Sequence, residues 1–131
     1  MSQAGSTSSG GGGGSGVTTV TGTATSSDGS TENIITVDLG DSGKVYRFYF
    51  MVTGRDTGTG EGVGYHVFAS ARTDGATATV IETEFVDADE DDSLNSAEID
   101  FTVSGNNMIL QITGVGGETI SYLAVGNYIS V

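Results

Sequence analysis

The stretch Lys44–Arg72, KVYRFYFMVTGRDTGTGEGVGYHVFASAR, carries the strongest pattern in the sequence. Two apolar runs rich in aromatic residues flank a glycine-rich middle. Because side chains at every second position of a strand lie on the same face, alternation in each run predicts a strand with one buried face. The positions assigned to that face are Tyr46, Phe48, Phe50 and Val52 in the first run and Val63, Tyr65, Val67, Ala69 and Ala71 in the second.

Runs of the same kind continue to the C-terminus, separated by turn-forming residues such as Asp74-Gly75. Proline is absent, threonine and valine are abundant, and no long helical period occurs. These features favour strands joined by tight turns, and 131 residues suit one domain. The sequence therefore predicts an all-β fold, an antiparallel β-sandwich of jelly-roll-like form with an extended Gly/Ser-rich N-terminal arm.

The N-terminal segment differs from the rest in composition. Residues 1–16, MSQAGSTSSGGGGGSG, bury nothing as an isolated chain and lose much entropy on ordering. We interpret them as a docking arm whose backbone finds partners in a groove between subunits. The Thr-rich residues 17–30 predict an extended connector or an edge strand, and residues 31–131 predict the β-sandwich.

Charge and cysteine content exclude several classes of partner and chemistry. A formal net charge of −13 repels nucleic acid and anionic lipid. No apolar run approaches ~18 residues, so no membrane span is predicted. The absence of cysteine excludes disulfides, a thiolate nucleophile and Cys-ligated zinc. The start lacks the basic and apolar regions of a secretory signal, so none is predicted.

The last run, Thr119–Val131, is apolar on both faces, which favours either a central strand or a contact between subunits. One face carries Ile120, Tyr122, Ala124 and Tyr128, and the other carries Leu123, Val125, Ile129 and Val131.

An acidic segment, residues 87–98, is the candidate metal site. Oxygen-bearing side chains stand at the spacing of a twelve-residue calcium loop, although Asp92 occupies the position where the sharp turn wants glycine. A solvated acidic turn is the alternative interpretation. The proposed calcium ligands are Asp87, Asp89, Asp91, Ser93 and Glu98; no other cofactor is expected.

Catalytic patterns are weak. His66 and Ser70 fall on the same face of one strand, roughly 13 Å apart, which is beyond hydrogen-bonding reach. Acidic residues such as Glu82 and Glu84 are too numerous for any pair to indicate glycoside hydrolysis. We therefore expect a protein that is not an enzyme.

Both ends of the chain resemble one group of proteins. The opening consists of MSQAG, a serine- and glycine-rich tract and GVTTVTGTAT. Two later blocks are GVGYHVFASARTDGATATVI and VSGNNMILQITGVGGETISYLAV. These blocks resemble the two ends of phage and prophage tail-fibre-like proteins. Tyr122 stands where that family usually has a tryptophan. The resemblance implies a shared β-fold module rather than an activity.

The resulting hypothesis is a non-enzymatic virion structural protein: a tail-fibre, baseplate or capsid-decorating component. It would form a homo-oligomer, with a homotrimer favoured, and bind other virion proteins through residues 1–16. A host-surface glycan is a further candidate partner. Virion assembly in the host cytoplasm followed by lysis explains why no export signal is needed.

Two other hypotheses remain open. In a self-polymerising extracellular filament, the arm would complete a neighbour's sheet. If the chain is instead a carbohydrate-binding module, its aromatic platform would consist of tyrosines, because the sequence contains no tryptophan. These are Tyr49, Tyr65, Tyr122 and Tyr128.

Overall fold

The computed structural model describes residues 3–9, 16–40 and 42–131, and for residues 3–9 and 84–87 it describes the backbone alone. Its strands are β1 (Gln3–Ser9), β2 (Thr18–Ser27), β3 (Thr31–Asp38), β4 (Val45–Asp56), β5 (Gly62–Asp74), β6 (Thr77–Glu90), β7 (Glu98–Ser104), β8 (Asn107–Thr113) and β9 (Thr119–Ser130). A 3₁₀ turn, Asp92–Leu94, precedes β7. No helix in the described ranges is long and apolar enough to cross a membrane.

The strands form two antiparallel sheets that enclose one core. The larger sheet has the order β1-β2-β9-β4-β5-β6 and the smaller has the order β3-β8-β7. Phe48 and Phe50 of the larger sheet contact Phe101 of the smaller, with ring centroids 5.3 and 6.2 Å apart. The prediction of an all-β antiparallel sandwich is confirmed.

Strand β4 lies at the centre of the larger sheet, paired with β5 on one side and β9 on the other. All nine positions that the sequence assigned to the inward faces of β4 and β5 are buried. Phe48 and Phe50 are completely buried and their rings stack 5.7 Å apart. The alternation in Lys44–Arg72 therefore identified the core of the larger sheet.

Glycines on β4 and β9 accommodate aromatic rings of the neighbouring strand. Gly54 pairs with Tyr122, and Gly126 pairs with Phe50. A Cβ atom at Gly54 would lie 2.7 Å from the Tyr122 ring, and one at Gly126 would lie 2.5 Å from the carbonyl oxygen of Tyr49. A glycine within a strand often marks such a close approach, and these two positions match β4 to β9.

Strand β2 is part of the sandwich. It pairs with β9 from Thr18 to Ser27, and its Val20 and Ala24 are buried in the core. Asp28 and Gly29, both with positive φ, then turn the chain into β3 of the smaller sheet. Residues 17–30, predicted as a connector or an edge strand, therefore form an inner strand and a crossover between the sheets.

The N-terminal arm is described in part. Its backbone from Gln3 to Ser9 forms β1, which pairs with β2 of the same chain at the end of the larger sheet. Residues 1–2 and 10–15 lie outside the described residues. The docking role of residues 1–16 stays a prediction.

Phe48→Ala is expected to lower the free energy of unfolding by about 3–5 kcal/mol, because it removes a buried ring and leaves a cavity. Denaturant unfolding followed by circular dichroism measures this loss. The control is Ile81→Ala: Ile81 is 51% exposed, and its truncation should change stability by about 0.5 kcal/mol or less. Equal losses in both variants would show that the assignment of the β4 faces is wrong.

Candidate functional site

The outward face of the larger sheet carries large apolar side chains on its two central strands, β4 and β9. They cluster because Met51 pairs with Val125, and Val45 exchanges two backbone hydrogen bonds with Val131. Their exposed fractions range from 40% to 91%. We call this set the outer patch: Val45, Met51, Leu123, Val125, Ile129 and Val131.

Aromatic side chains extend the outer patch onto β5. Tyr49 and Phe68 are paired across β4 and β5, with ring centroids 4.8 Å apart, and His66 packs edge-on against Tyr49 at 5.9 Å. Arg47 lies over the Phe68 ring at 5.7 Å and donates a 2.9 Å hydrogen bond from Nη1 to Ser70 Oγ. This contact orders the guanidinium on an otherwise apolar surface.

A depression of about 230 Å³ lies on the same face. Its walls combine aromatic, cationic, amide and aliphatic groups, which suit a polar ligand with an apolar side. The lining residues are Val17, Arg47, Phe48, Tyr49, Phe68, Asn127, Tyr128 and Ile129.

The charges on this face differ from those of the whole chain, whose net charge is −13. The outward positions of β2, β9, β4 and β5 hold Arg47, Arg55 and Arg72 but one acidic residue, Asp74. Arg72 Nη1 and Asp74 Oδ2, 3.7 Å apart, form the one ion pair among the described residues. The edge strand β6 carries acidic residues instead of arginines. Glu82, Glu84, Asp87 and Asp89 of β6 pair with Ser70, Phe68, His66 and Gly64 of β5, respectively.

The four tyrosines considered for a carbohydrate platform do not all lie on one surface. Tyr65 and Tyr122 are buried in the core, and Tyr128 packs against Phe48 at 5.0 Å, whereas Tyr49 lies in the aromatic cluster of the outer face. The Tyr65 hydroxyl donates a 2.6 Å hydrogen bond to Glu90 Oε2. Burial, and then this bond, raise the pKa of Tyr65, and burial with the Glu90 charge raises the pKa of Tyr122 to about 12.

The structure divides the predicted calcium ligands among three elements. Asp87 and Asp89 belong to β6, the 3₁₀ turn contains Ser93, and Glu98 begins β7; the side chain of Asp87 lies outside the described residues. Asp91, just before the 3₁₀ turn, accepts a 2.8 Å hydrogen bond from Gly62 N–H at Oδ2. Strand β6 therefore extends four residues into the predicted twelve-residue loop.

Two of these ligands also contact the β4–β5 connection. Ser93 Oγ donates a hydrogen bond to Glu61 Oε1 in this connection. Asp91 accepts its hydrogen bond from the N–H of Gly62, where the connection enters β5. Among the described residues no group of three or more His, Cys, Asp or Glu is arranged to hold a metal ion. Calcium binding at the predicted residues stays a prediction.

Sequence reasoning missed two residues of this surface, Phe68 and Asn127. Both occupy outward positions of strands, opposite Tyr49 in the register of β5 and β9. An aromatic residue at an outward position was the available signal for Phe68. Asn127 carried none, because its place beside Tyr49 depends on pairing between strands about eighty residues apart.

No protein-family model matches the chain, and no curated protein shows a significant match. Solved structures similar in fold include three phage tailspike proteins. The tailspike of Acinetobacter baumannii phage AM24 has a TM-score of 0.48 and 7% identity over 85% of this chain and 26% of its own. The tailspike of Acinetobacter baumannii bacteriophage Fri1, described as a capsular polysaccharide depolymerase, gives 0.45 and 16% over 87% and 18%.

The tailspike of Acinetobacter phage vB_ApiP_P1 gives a TM-score of 0.49 and 13% identity, over 85% of this chain and 22% of its own. This chain thus spans about a quarter or less of each tailspike. The similarity concerns the fold of a part of those proteins.

The calcium hypothesis predicts that millimolar calcium raises the melting temperature more than magnesium at equal ionic strength, because magnesium demands a tighter octahedron and keeps its waters. At a hundred times the dissociation constant the stabilisation would be about 2.7 kcal/mol. Scanning calorimetry measures the difference, and Asp89→Asn with Asp91→Asn should abolish it. An equal effect of calcium, magnesium and matched sodium would identify a screened acidic turn instead.

Proposed function

We propose that the chain is a non-enzymatic structural component of a phage virion, a part of the tail or of the capsid surface, and that it assembles with copies of itself through the outer patch. The supporting observation is the outer patch itself, six exposed apolar side chains on strands β4 and β9; the outward positions of β2, β9, β4 and β5 together hold one acidic residue. The phage setting is supported by the resemblance of both ends of the sequence to tail-fibre-like proteins.

The energy available from the outer patch is of the right size for association. Five of its members are about half exposed, so burying each contributes about 1 kcal/mol, half of the full value for such side chains. With about 2 kcal/mol from Val131, which is 91% exposed, burial of the outer patch of one copy would gain about 7 kcal/mol, comparable to the roughly 4–15 kcal/mol lost in translational and rotational freedom. The charged groups around the outer patch would therefore decide whether association is tight.

Charge complementarity favours a second copy as the partner. Arginines lie around the outer patch, whereas acidic residues occupy outward positions on β6. If the β6 edge of one copy lay against the arginines of the next, opposite charges would meet without like-charge contact. Such a head-to-tail contact closes into a ring when the rotation permits, and a trimer is the ring we favour.

Leu123→Lys is expected to yield folded monomers, because a lysine in the outer patch opposes burial of its apolar neighbours. Light scattering after size exclusion measures the mass, and circular dichroism checks the fold. The matched control is Ile81→Lys, since Ile81 is 51% exposed but lies on β6, outside the outer patch. The control should keep the wild-type oligomer; equal masses for wild type and Leu123→Lys would contradict the role of the outer patch.

A glycan ligand is the second candidate function, favoured by the depression in which Arg47, Tyr49, Phe68 and Asn127 meet. Stacking of a sugar on an aromatic ring, with hydrogen bonds from arginine and asparagine, is compatible with these walls. A wild-type protein that is monomeric, and that binds host-surface polysaccharide in titration calorimetry, would favour this function over self-assembly.

The N-terminal arm is proposed to anchor the domain to other virion proteins. In the single chain β1 covers the edge of β2, so exchange of this strand between copies would give the self-polymerising filament of the second hypothesis. Sizing separates the two arrangements, since a ring has one mass whereas a filament grows with concentration.

Deletion of residues 1–16 is expected to leave the melting temperature nearly unchanged, because Gln3–Ser9 contains no large apolar side chain and its composition therefore offers little apolar area for burial. The same deletion should abolish incorporation into particles. Calorimetry and immunoblotting of purified phage from a complemented host measure the two effects. Normal incorporation of the truncated chain would contradict the anchoring role.

A further inference from the structure

At the end of β4 a buried carboxyl group stands apart from the proposed assembly surface. Asp56 points inward and is 1% exposed. Its Oδ1 accepts hydrogen bonds from Gly58 N–H at 2.8 Å and Thr59 N–H at 3.2 Å, which close the first turn of the β4–β5 connection. Its Oδ2 is buried and receives no hydrogen bond from the other described groups.

Glu118, in the turn before β9, lies close enough to Asp56 for each carboxyl group to shift the pKa of the other. Backbone contacts fix this approach. Asp28 N–H donates to the Glu118 carbonyl at 2.9 Å, and Thr57 N–H donates to the Thr119 carbonyl at 2.9 Å. The β2–β3 turn, the β4–β5 connection and the β8–β9 turn therefore meet at this carboxyl pair.

The charged groups around the pair do not neutralise it. Glu61 adds a further negative charge near Glu118, and Asp28 uses Oδ1 to accept from Gly117 N–H. Arg55 faces outward and its guanidinium lies beside Gly60; with the acidic side chains that the structure describes it forms no ion pair within 4.0 Å. Two ionised carboxyl groups in contact, one of them buried, would repel each other with little screening.

We propose that Glu118 retains a proton and donates it to Asp56 Oδ2, so that the carboxyl pair acts as a pH-sensitive latch between the end of β4 and the β8–β9 turn. In the closed state one proton is shared by two carboxyl groups, and every oxygen of Asp56 has a donor. As the pH rises Glu118 loses its proton, the two charges repel, and the turn is released from β4. A shared proton of this kind belongs to the pair rather than to either residue.

The titration of the two groups agrees with this geometry. Hydrogen bonding from Gly58, with smaller contributions from Glu118 and Thr59 against the opposing effect of burial, lowers the pKa of Asp56 below its ordinary 3.8. The contact with Asp56, followed by burial and Glu61, raises the pKa of Glu118 above its ordinary 4.5.

Each shift makes stability depend on pH. The pKa of Glu118 is raised on folding. Its contribution to folding stability is therefore complete below its unfolded pKa of 4.5 and is lost as the pH rises through its folded pKa. The contribution of Asp56, whose pKa is lowered, is present above 3.8 and is lost as the pH falls through its folded value. The pair is therefore most stabilising at about pH 4 and weakens toward neutral pH.

Glu118→Gln tests the latch, because the amide donates permanently to Asp56 Oδ2 at any pH. Calorimetry of the full chain between pH 4 and 8 should show Glu118→Gln melting about 3–6 °C above wild type at pH 8. At pH 4, where wild-type Glu118 carries its proton, the two proteins should melt within about 1 °C of each other. The control is Glu82→Gln, which removes the same charge from an exposed position on β6 and should follow the wild-type pH dependence.

Two outcomes would overturn the proposal. If Glu118→Gln keeps the wild-type pH dependence, or melts lower than wild type at pH 8, no proton is shared. If calcium at pH 8 raises the melting temperature of wild type but not of Glu118→Gln, the pair takes a metal cation rather than a proton. A carboxyl titration of Glu118 by carbon NMR with a midpoint above 4.5 would support the latch independently of stability.

Discussion

The rest of the structure depends on the packing of β4 against β9, where aromatic rings and glycines alternate across the two strands. Phe50 lies opposite Gly126, and Tyr122 lies opposite Gly54. A slip of one residue would turn every inward side chain outward and place the rings against positions that carry side chains. This reciprocal fit therefore determines one register between segments about seventy residues apart in the chain.

The same two strands also generate the outer patch. Because side chains alternate along a strand, the register that buries Phe48 and Phe50 brings Met51 beside Val125 on the opposite face. The inward face packs against the smaller sheet, which leaves the outward face available for association. A core substitution such as Phe48→Ala and a surface substitution such as Leu123→Lys therefore separate stability from assembly, although both lie within one pair of strands.

The acidic residues are distributed unevenly, and this distribution has two consequences. Several of them lie on the β6 edge and at the end of the sandwich near Asp56 and Glu118, while the outward face of the central strands carries arginines. In the proposed assembly, repulsion among copies would thereby be weakest where the apolar surface is exposed. At the crowded end, by contrast, two carboxyl groups are in contact, and a shared proton relieves their repulsion.

The amino-acid sequence by itself determined the all-β class, the inward faces of the central strands and the two-faced character of the last strand, because alternation is a local property of an extended chain. It also indicated the turn at Asp74-Gly75. The tertiary structure decided what depends on pairing between distant segments: the inner place of β2, the end of β6 within the predicted calcium loop, and the burial of Tyr122. The contact of Asp56 with Glu118 belongs to the same class, since no local pattern reveals which two of many acidic residues a fold brings together.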